Sequence, residues 1–132
     1  MSDETQTIVS AGPLITEDGN ILLVQEGEDG LWKLPGGKIA TDDTSVMDTV
    51  VRVVKEELGI EVNLGIPLDP YYFRTEEVLH VLIPYTATRE GEIEVGEGVS
   101  DWGWFPVNEL PENSAPNIIF ALQSLLRIVG EE

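Results

Sequence analysis

Residues 32–60 read WKLPGGKIATDDTSVMDTVVRVVKEELGI, and this stretch is the most informative part of the chain. A turn at Pro35-Gly36-Gly37 leads through a polar loop into a predicted helix. Ser45 with Asp48 forms an approximate capping box at its start, and Gly59 stands where a glycine commonly ends a helix. The spacing of apolar residues predicts one buried stripe on this helix. The stripe consists of Val46, Met47, Val50, Val51, Val54 and Leu58.

Strand-like segments flank this helix, and a second helix is predicted over residues 116–129. Pro116 suits the first turn of that helix. Strands interleaved with two helices predict an α/β fold, in which a mixed sheet has helices on its faces. We expect a flexible tail over residues 1–7 and one domain over residues 8–132. The predicted strands cover residues 8–15, 21–24, 62–64, 71–74, 78–87 and 102–107.

Composition excludes several classes of function. The chain has 132 residues, enough for one domain, and its 25 acidic against 7 basic residues give a net charge of −18. Such a charge argues against binding a nucleic acid polymer or an anionic membrane. The sequence has no cysteine, which excludes disulfides and thiolate chemistry. No apolar stretch approaches the ~18 residues of a membrane span, and the N-terminus lacks a signal-peptide pattern, so we expect a cytoplasmic protein.

The segment from Gly37 to Ile60 resembles the Nudix box. That pattern is Gly, five residues, Glu, seven residues, Arg-Glu, an apolar residue, any residue, Glu-Glu, any residue, Gly and an apolar residue. Residues 32–37 are similar to the usual lead-in, and residues 104–110 to a family segment near the C-terminus. The resemblance covers residues 8–129 and implies a Nudix-type α/β/α sandwich with a mixed β-sheet. The matching box positions are Gly37, Arg52, Val54, Glu56, Glu57, Gly59 and Ile60.

The resemblance implies a hydrolase that depends on Mg²⁺ or Mn²⁺ and cuts the pyrophosphate bond of a nucleoside diphosphate linked to another group. A nucleophile that approaches pyrophosphate meets negatively charged oxygens, and a divalent ion neutralises them and activates a bound water. Mg²⁺ prefers oxygen ligands. A helix can bring carboxylates together because its positions i, i+3 and i+4 share a face. A Gly-Gly turn lets the backbone approach a metal or a phosphate closely.

Candidate site residues follow from this resemblance. The predicted metal ligands are Glu56, Glu57, Glu97 and Gly37, and two of them, Glu57 and Glu97, are the predicted catalytic residues. Glu97 is chosen because the resemblance implies a further ligand or base from its acidic segment, residues 92–101, which precedes a predicted strand; Glu94 of the same segment is the second choice. The predicted substrate-binding residues are Gly36, Lys38, Arg52 and Arg74.

The sequence also departs from the family pattern. Val53 stands where the pattern has Glu after Arg52, and the interval from Gly37 to Arg52 is one residue longer. Asp42 or Asp43 could replace the missing loop Glu by pairing with Arg52. A helical wheel places Val53 between the two glutamates of the box, away from the centre of the apolar stripe. Val53 therefore occupies the place of a third carboxylate, which indicates a damaged or redesigned metal site with reduced activity.

Other interpretations stay open from the sequence alone. One is a catalytically inactive Nudix-fold module that binds a nucleotide-like ligand or a partner protein. Another is a degenerate member that has lost its ligand. Glu56 and Glu57 could equally be a solvated helix end, with an Arg52–Glu56 ion pair at i,i+4 spacing. Because relatives are often dimers, the resemblance also allows a homodimer.

Overall fold

The computed structural model describes residues 6–27 and 30–130, and within these ranges the chain forms eight strands and two helices. The strands are β1 (Gln6–Glu17), β2 (Asn20–Glu26), β3 (Trp32–Lys33), β4 (Gly37–Lys38), β5 (Glu61–Pro67), β6 (Tyr71–Thr75), β7 (Val78–Glu90) and β8 (Val99–Pro106). The helices are α1 (Val46–Leu58) and α2 (Pro116–Gly130). Neither helix is long and apolar enough to cross a membrane.

The strands form one mixed sheet. Its central path runs β3-β2-β1-β7-β5, while β4 pairs with β1, β6 with β7 and β8 with β2. The long β1–β7 pair is parallel, from Gln6 opposite Val78 to Ile15 opposite Ala87, and the other strand pairs are antiparallel. The mixed α/β sheet predicted from the sequence is confirmed.

The sheet separates two apolar cores, one against each helix. Alternation along β2 shows this directly, because successive side chains of a strand point to opposite faces. Leu22 and Val24 are fully buried in the cluster that includes α1, whereas Ile21 and Leu23 are fully buried in the cluster on the α2 side. Burial of each such side chain stabilises the fold by about 1.5–3 kcal/mol. The α1 cluster includes Val50, Val54 and Leu58, and the α2 cluster includes Ile118 and Ala121. The predicted sandwich is thereby confirmed.

Local sequence determines both ends of α1, as predicted. The Ser45 hydroxyl accepts a hydrogen bond from the backbone N–H of Asp48 at 3.1 Å. Gly59 takes the left-handed conformation with φ of 69°, and its N–H donates to the carbonyl of Lys55. The apolar stripe is narrower than predicted, because the side chains of Met47 and Val51 are exposed.

The predicted tail also requires a correction. Gln6 and Thr7, which the sequence assigns to the tail, are paired with β7 as the first residues of β1. Residues 1–5 lie outside the described ranges. Parallel pairing with β7 thus extends the ordered domain by two residues, because the backbone of Gln6 and Thr7 finds hydrogen-bond partners there.

Candidate active site

The Pro35-Gly36-Gly37 turn lies directly against strand β1. A Cβ atom on Gly36 would lie 2.9 Å from the carbonyl oxygen of Ala11, which leaves no room for a side chain. Gly37 then begins β4, opposite Ala11 in the β1–β4 pair. Glycine is needed here because the backbones of two segments touch. This close approach holds the Gly36 amide toward the C-terminal half of α1.

Glu57 reaches this turn from α1. Its Oε1 accepts a hydrogen bond from the Gly36 N–H at 3.2 Å. Burial, and after it the charge and hydrogen bonding of the neighbouring Glu26 carboxyl, together raise the pKa of the Glu57 carboxyl to about 9. The Gly36 N–H acts in the opposite direction but is the weaker influence. Glu57 and Glu26 are therefore neighbouring carboxyl groups that influence each other's charge.

Glu26 was not predicted from the sequence as a site residue. It is the last residue of β2. Leu22 and Val24 of that strand face α1, so the alternation places Glu26 on the same side, where Glu57 meets it. The pairing of β2 with β8 is irregular here: Gln25 pairs with Asp101 and Glu26 with Val99, so Ser100 is an extra residue on β8. Because the extra residue is on β8, the alternation of side chains along β2 continues to Glu26. The period-two pattern of β2 was the available clue.

Val53 lies beside Glu57, as the helical wheel indicates. Its side chain is 3% exposed. A Cβ atom placed on Gly37 would be 2.8 Å from Val53 Cγ1 and 3.9 Å from Glu57 Oε2. Val53 therefore packs beneath the glycine turn and belongs to neither of the two core clusters. At this point of the site the helix offers a methyl group and no oxygen.

Arg52 connects the loop before α1 to the helix. Its Nε and Nη2 donate to the two carboxylate oxygens of Asp43 at 3.0 and 2.9 Å, and Nη2 also donates to the Lys38 carbonyl at 2.9 Å. Of the two predicted loop partners, the structure selects Asp43. The Arg52 guanidinium and the Ala40 N–H hold the pKa of the Asp43 carboxyl well below its usual range. Arg52 thus holds the site loop in place.

The Glu56 side chain is paired with Arg52. Its Oε1 accepts from Arg52 Nη1 at 3.3 Å, and its side chain is 61% exposed. The i,i+4 ion pair considered from the sequence is therefore present. Within residues 6–27 and 30–130, no three Asp, Glu or His side chains lie together in an arrangement that could hold a metal ion.

The acidic segment after β7 is anchored on the end of α1. The Gly96 N–H donates to the Glu57 carbonyl at 2.9 Å, and the Glu94 N–H donates to the Leu58 carbonyl at 2.9 Å. Glu97 follows immediately, and its side chain is exposed. The backbone of this segment is near the site, so the roles predicted for Glu97 stay predictions.

Two predicted substrate-binding side chains lie elsewhere. Lys38 is exposed on β4, where it pairs with Ser10 of β1 and its carbonyl oxygen accepts from Arg52. Arg74 is exposed on β6 and lies on the face opposite to Tyr71 and Phe73, because strand neighbours alternate. Neither Lys38 nor Arg74 lines the cavity described next.

A cavity of about 450 Å³ opens beside the carboxyl pair. Glu26 and Gly36 form one part of its wall, and Lys33 lines it as well. Another part is aromatic: the rings of Phe73 and His80 stack at 4.8 Å with an angle of 11° between their planes. The Nε2 atom of His80 lies 3.0 Å from the Thr75 hydroxyl, which agrees with a structurally satisfied histidine. The site therefore joins acidic groups to a concave, partly aromatic surface.

Comparison with known proteins identifies the family. A sequence model of the NUDIX domain matches residues 6–123. The chain therefore belongs to the Nudix hydrolase family.

Individual relatives agree with this assignment. The chain is 28% identical over 129 residues to a MutT-like protein from Streptomyces ambofaciens. This match covers 98% of this chain and 81% of the relative. It is 43% identical over 56 residues to the CTP pyrophosphohydrolase of Escherichia coli K12, a match covering 39% of this chain and 41% of the relative. The crystal structure of a MutT NUDIX hydrolase from Burkholderia pseudomallei superposes with a TM-score of 0.83 at 31% identity, over 91% of this chain and 98% of that one. These relatives support a pyrophosphohydrolase that acts on phosphorus-containing anhydrides.

Proposed function

We propose that the protein hydrolyses, with Mg²⁺ or Mn²⁺, the pyrophosphate bond of a nucleoside diphosphate linked to another group. The observation that supports this function best is the position of Glu57. Its carboxyl is held by the Gly36 N–H at the edge of the cavity, beside the glycine turn of the Nudix box. An acidic group at the rim of a concave site is where a phosphate-bound ion is needed.

The residues of the site fit a divalent cation by their chemistry. Glu57 carries hard oxygen donors, and a second carboxyl, that of Glu26, is its neighbour. Two ionised carboxylates so close together would repel each other. A divalent ion offsets that repulsion. Glu57 would hold the ion, with Glu56, Glu97 and the backbone of Gly37 as the further predicted ligands. When bound, such an ion neutralises charge on the pyrophosphate and lowers the pKa of a bound water.

The chain's own groups would orient the substrate. The cavity volume, about 450 Å³, is within the range of roughly 300–1,000 Å³ that is usual for small-molecule sites. Its aromatic wall at Tyr71, Phe73 and His80 suits a flat base, while Gly36 and Lys33 line the part near Glu57 where phosphates would lie. Arg52 contributes indirectly, because it fixes Asp43 and the loop that follows the glycine turn.

A substrate panel tests this proposal. Purified protein is assayed with Mg²⁺, with Mn²⁺ and with EDTA against nucleoside diphosphate sugars, nucleoside diphosphate alcohols and nucleoside triphosphates. CTP is included because of the name of the E. coli relative. We expect metal-dependent release of a nucleoside monophosphate, and we expect Glu57→Gln to lower kcat/KM by roughly 10²–10⁴-fold. Glu109→Gln, an exposed position beyond β8, is the matched control and should retain full activity.

Two outcomes contradict the proposal. Turnover that persists in EDTA would exclude the metal dependence. Binding of a nucleotide to Glu57→Gln and wild type alike, with no turnover by either, would favour the alternative predicted from Val53, a ligand-binding Nudix module. The cytoplasmic location and the homodimer stay predictions.

A further inference from the structure

The helix of this chain lacks the glutamate that the family pattern has after Arg52, and a carboxyl that the pattern does not include, Glu26, lies near Glu57. Val53 fills the space under Gly37 with methyl groups, 2.8 Å from where a Gly37 side chain would begin. Glu56 is paired with Arg52 on the surface. The helix thus offers only Glu57 at the turn, which is a poor site for an ion that takes about six oxygen ligands.

Glu26 brings a second carboxyl group near this turn from strand β2. It lies on the α1 side of β2 and lines the cavity together with Gly36, whose N–H donates to the Glu57 carboxyl at 3.2 Å. The backbone of Glu26 pairs with Val99 of β8, and the preceding Gln25 pairs with both β3 and β8. A rigid strand positions a ligand more accurately than a loop.

We propose that Glu26 is a metal-binding residue of this protein. With Glu57 it supplies two carboxylates that bind the divalent ion, and it takes the place of the glutamate that the family pattern has at position 53. This inference rests on the proposed metal-dependent function. It assigns the ion to the β2 edge of the cavity, between Glu57 and the wall formed by Glu26. In this arrangement one carboxylate, Glu57, comes from helix α1 and the other, Glu26, comes from strand β2 of the sheet.

Binding of Mn²⁺ to the full chain, without nucleotide, tests the proposal by isothermal titration calorimetry. We expect Glu26→Gln to weaken Mn²⁺ binding at least about tenfold, as loss of a positioned carboxylate does. Glu26→Asp keeps the charge but is one methylene shorter, so it should weaken binding as well. Glu109→Gln removes one charge near the opposite end of β2 and should leave the affinity unchanged.

Thermal unfolding separates a ligand from a purely structural residue. In EDTA, Glu26→Gln should melt no lower than wild type, because a glutamine amide can donate to the Glu57 carboxylate. Its rise in Tm on adding Mn²⁺ should be much smaller than that of wild type, because stabilisation by a ligand follows its affinity.

Each contrary outcome has a distinct meaning. If Glu26→Gln binds Mn²⁺ as wild type does while Glu57→Gln does not, the role of Glu26 is overturned and the proposed function stands. If Glu26→Gln loses Mn²⁺ binding and also melts lower in EDTA, its role is structural and the proposal is overturned. If wild type does not bind Mn²⁺, the proposal and the metal-dependent function fail together.

Discussion

Position 53 shows how one side chain can alter the chemistry of a site while preserving its packing. Val53 is buried beneath the glycine turn, beside Glu57. The Nudix pattern that this segment resembles has a glutamate at the same position. A carboxylate there would be buried near the Glu57 carboxyl, so it would be costly without a cation.

Restoring the glutamate tests this interpretation. Val53→Glu should lower the free energy of unfolding in EDTA by about 3 kcal/mol, because it buries an uncompensated charge. Addition of Mn²⁺ should recover most of this loss, measured as Tm. Val53→Gln is the matched control, with similar shape and no charge, and should show the loss without the recovery. Equal responses of the two variants to Mn²⁺ would show that position 53 is only a packing position.

The surroundings of Glu57 disfavour the charged form of its carboxyl. Its pKa is raised to about 9, mainly by burial and then by Glu26, from an ordinary value of 4.5. The folded state therefore holds a proton that the unfolded chain releases. Stability contributed by this proton is fully present below about pH 4.5 and is lost as the pH rises toward 9.

The raised pKa of Glu57 predicts how the melting temperature of Glu57→Gln, relative to wild type, depends on pH. In EDTA the variant should melt several degrees above wild type at pH 8.5, because glutamine needs no proton to be taken up on folding whereas Glu57 does, and the difference should shrink toward zero at pH 5. Thermal melts across this range measure it, with Glu109→Gln as the control for loss of one surface charge. A Tm difference that does not change with pH would contradict the raised pKa.

Helix α1 and the segments packed on it show what sequence can and cannot predict. The ends of α1 were predictable because Ser45 and Gly59 act through local geometry. The choice of Asp43 over Asp42 was not, since it depends on how the loop turns toward Arg52. The Glu26–Glu57 pair depends on β2 packing beneath α1, a long-range contact that no local pattern states.

The segment carrying Glu97 depends on a close contact with the end of α1. A Cβ atom on Gly96 would collide with the Glu56 carbonyl oxygen, whereas a Cβ on Gly98 would meet nothing within 4 Å. Gly96→Ala should therefore destabilise the protein by about 1–3 kcal/mol, because neighbouring backbone must shift. Gly98→Ala is the control and should be close to neutral. Chemical denaturation measures both, and equal effects would contradict the described packing of this segment.

The net charge of the whole molecule opposes the binding of an anionic substrate at the site. A net charge of −18 repels any anionic nucleotide.

The fold was predictable at this level, because a continuous apolar run in β2 and two amphipathic helices require a sheet covered on both faces. The position of the cavity was not, because residues from β1, β2, β6 and β7 meet there only after folding.

Ionic strength should reveal this repulsion. With Mg²⁺ kept saturating, kcat/KM for an anionic nucleotide should rise as salt increases from about 0.01 M to about 0.1 M, because the screening length falls from roughly 30 to 10 Å. Steady-state kinetics measures the trend, and Mg²⁺ saturation is verified at each salt concentration. A steep fall in kcat/KM with salt would instead indicate that local cations attract the substrate.

The position of the bound ion tests the central claim most directly, namely that Glu57 holds a divalent ion at the glycine turn beside the cavity. Crystals soaked in Mn²⁺ and measured for anomalous scattering locate that ion. The account predicts one strong anomalous peak coordinated by the Glu57 carboxylate, next to Gly36 and on the side of Glu26. A peak bound only to exposed acids such as Glu92, with none at Glu57, would contradict it.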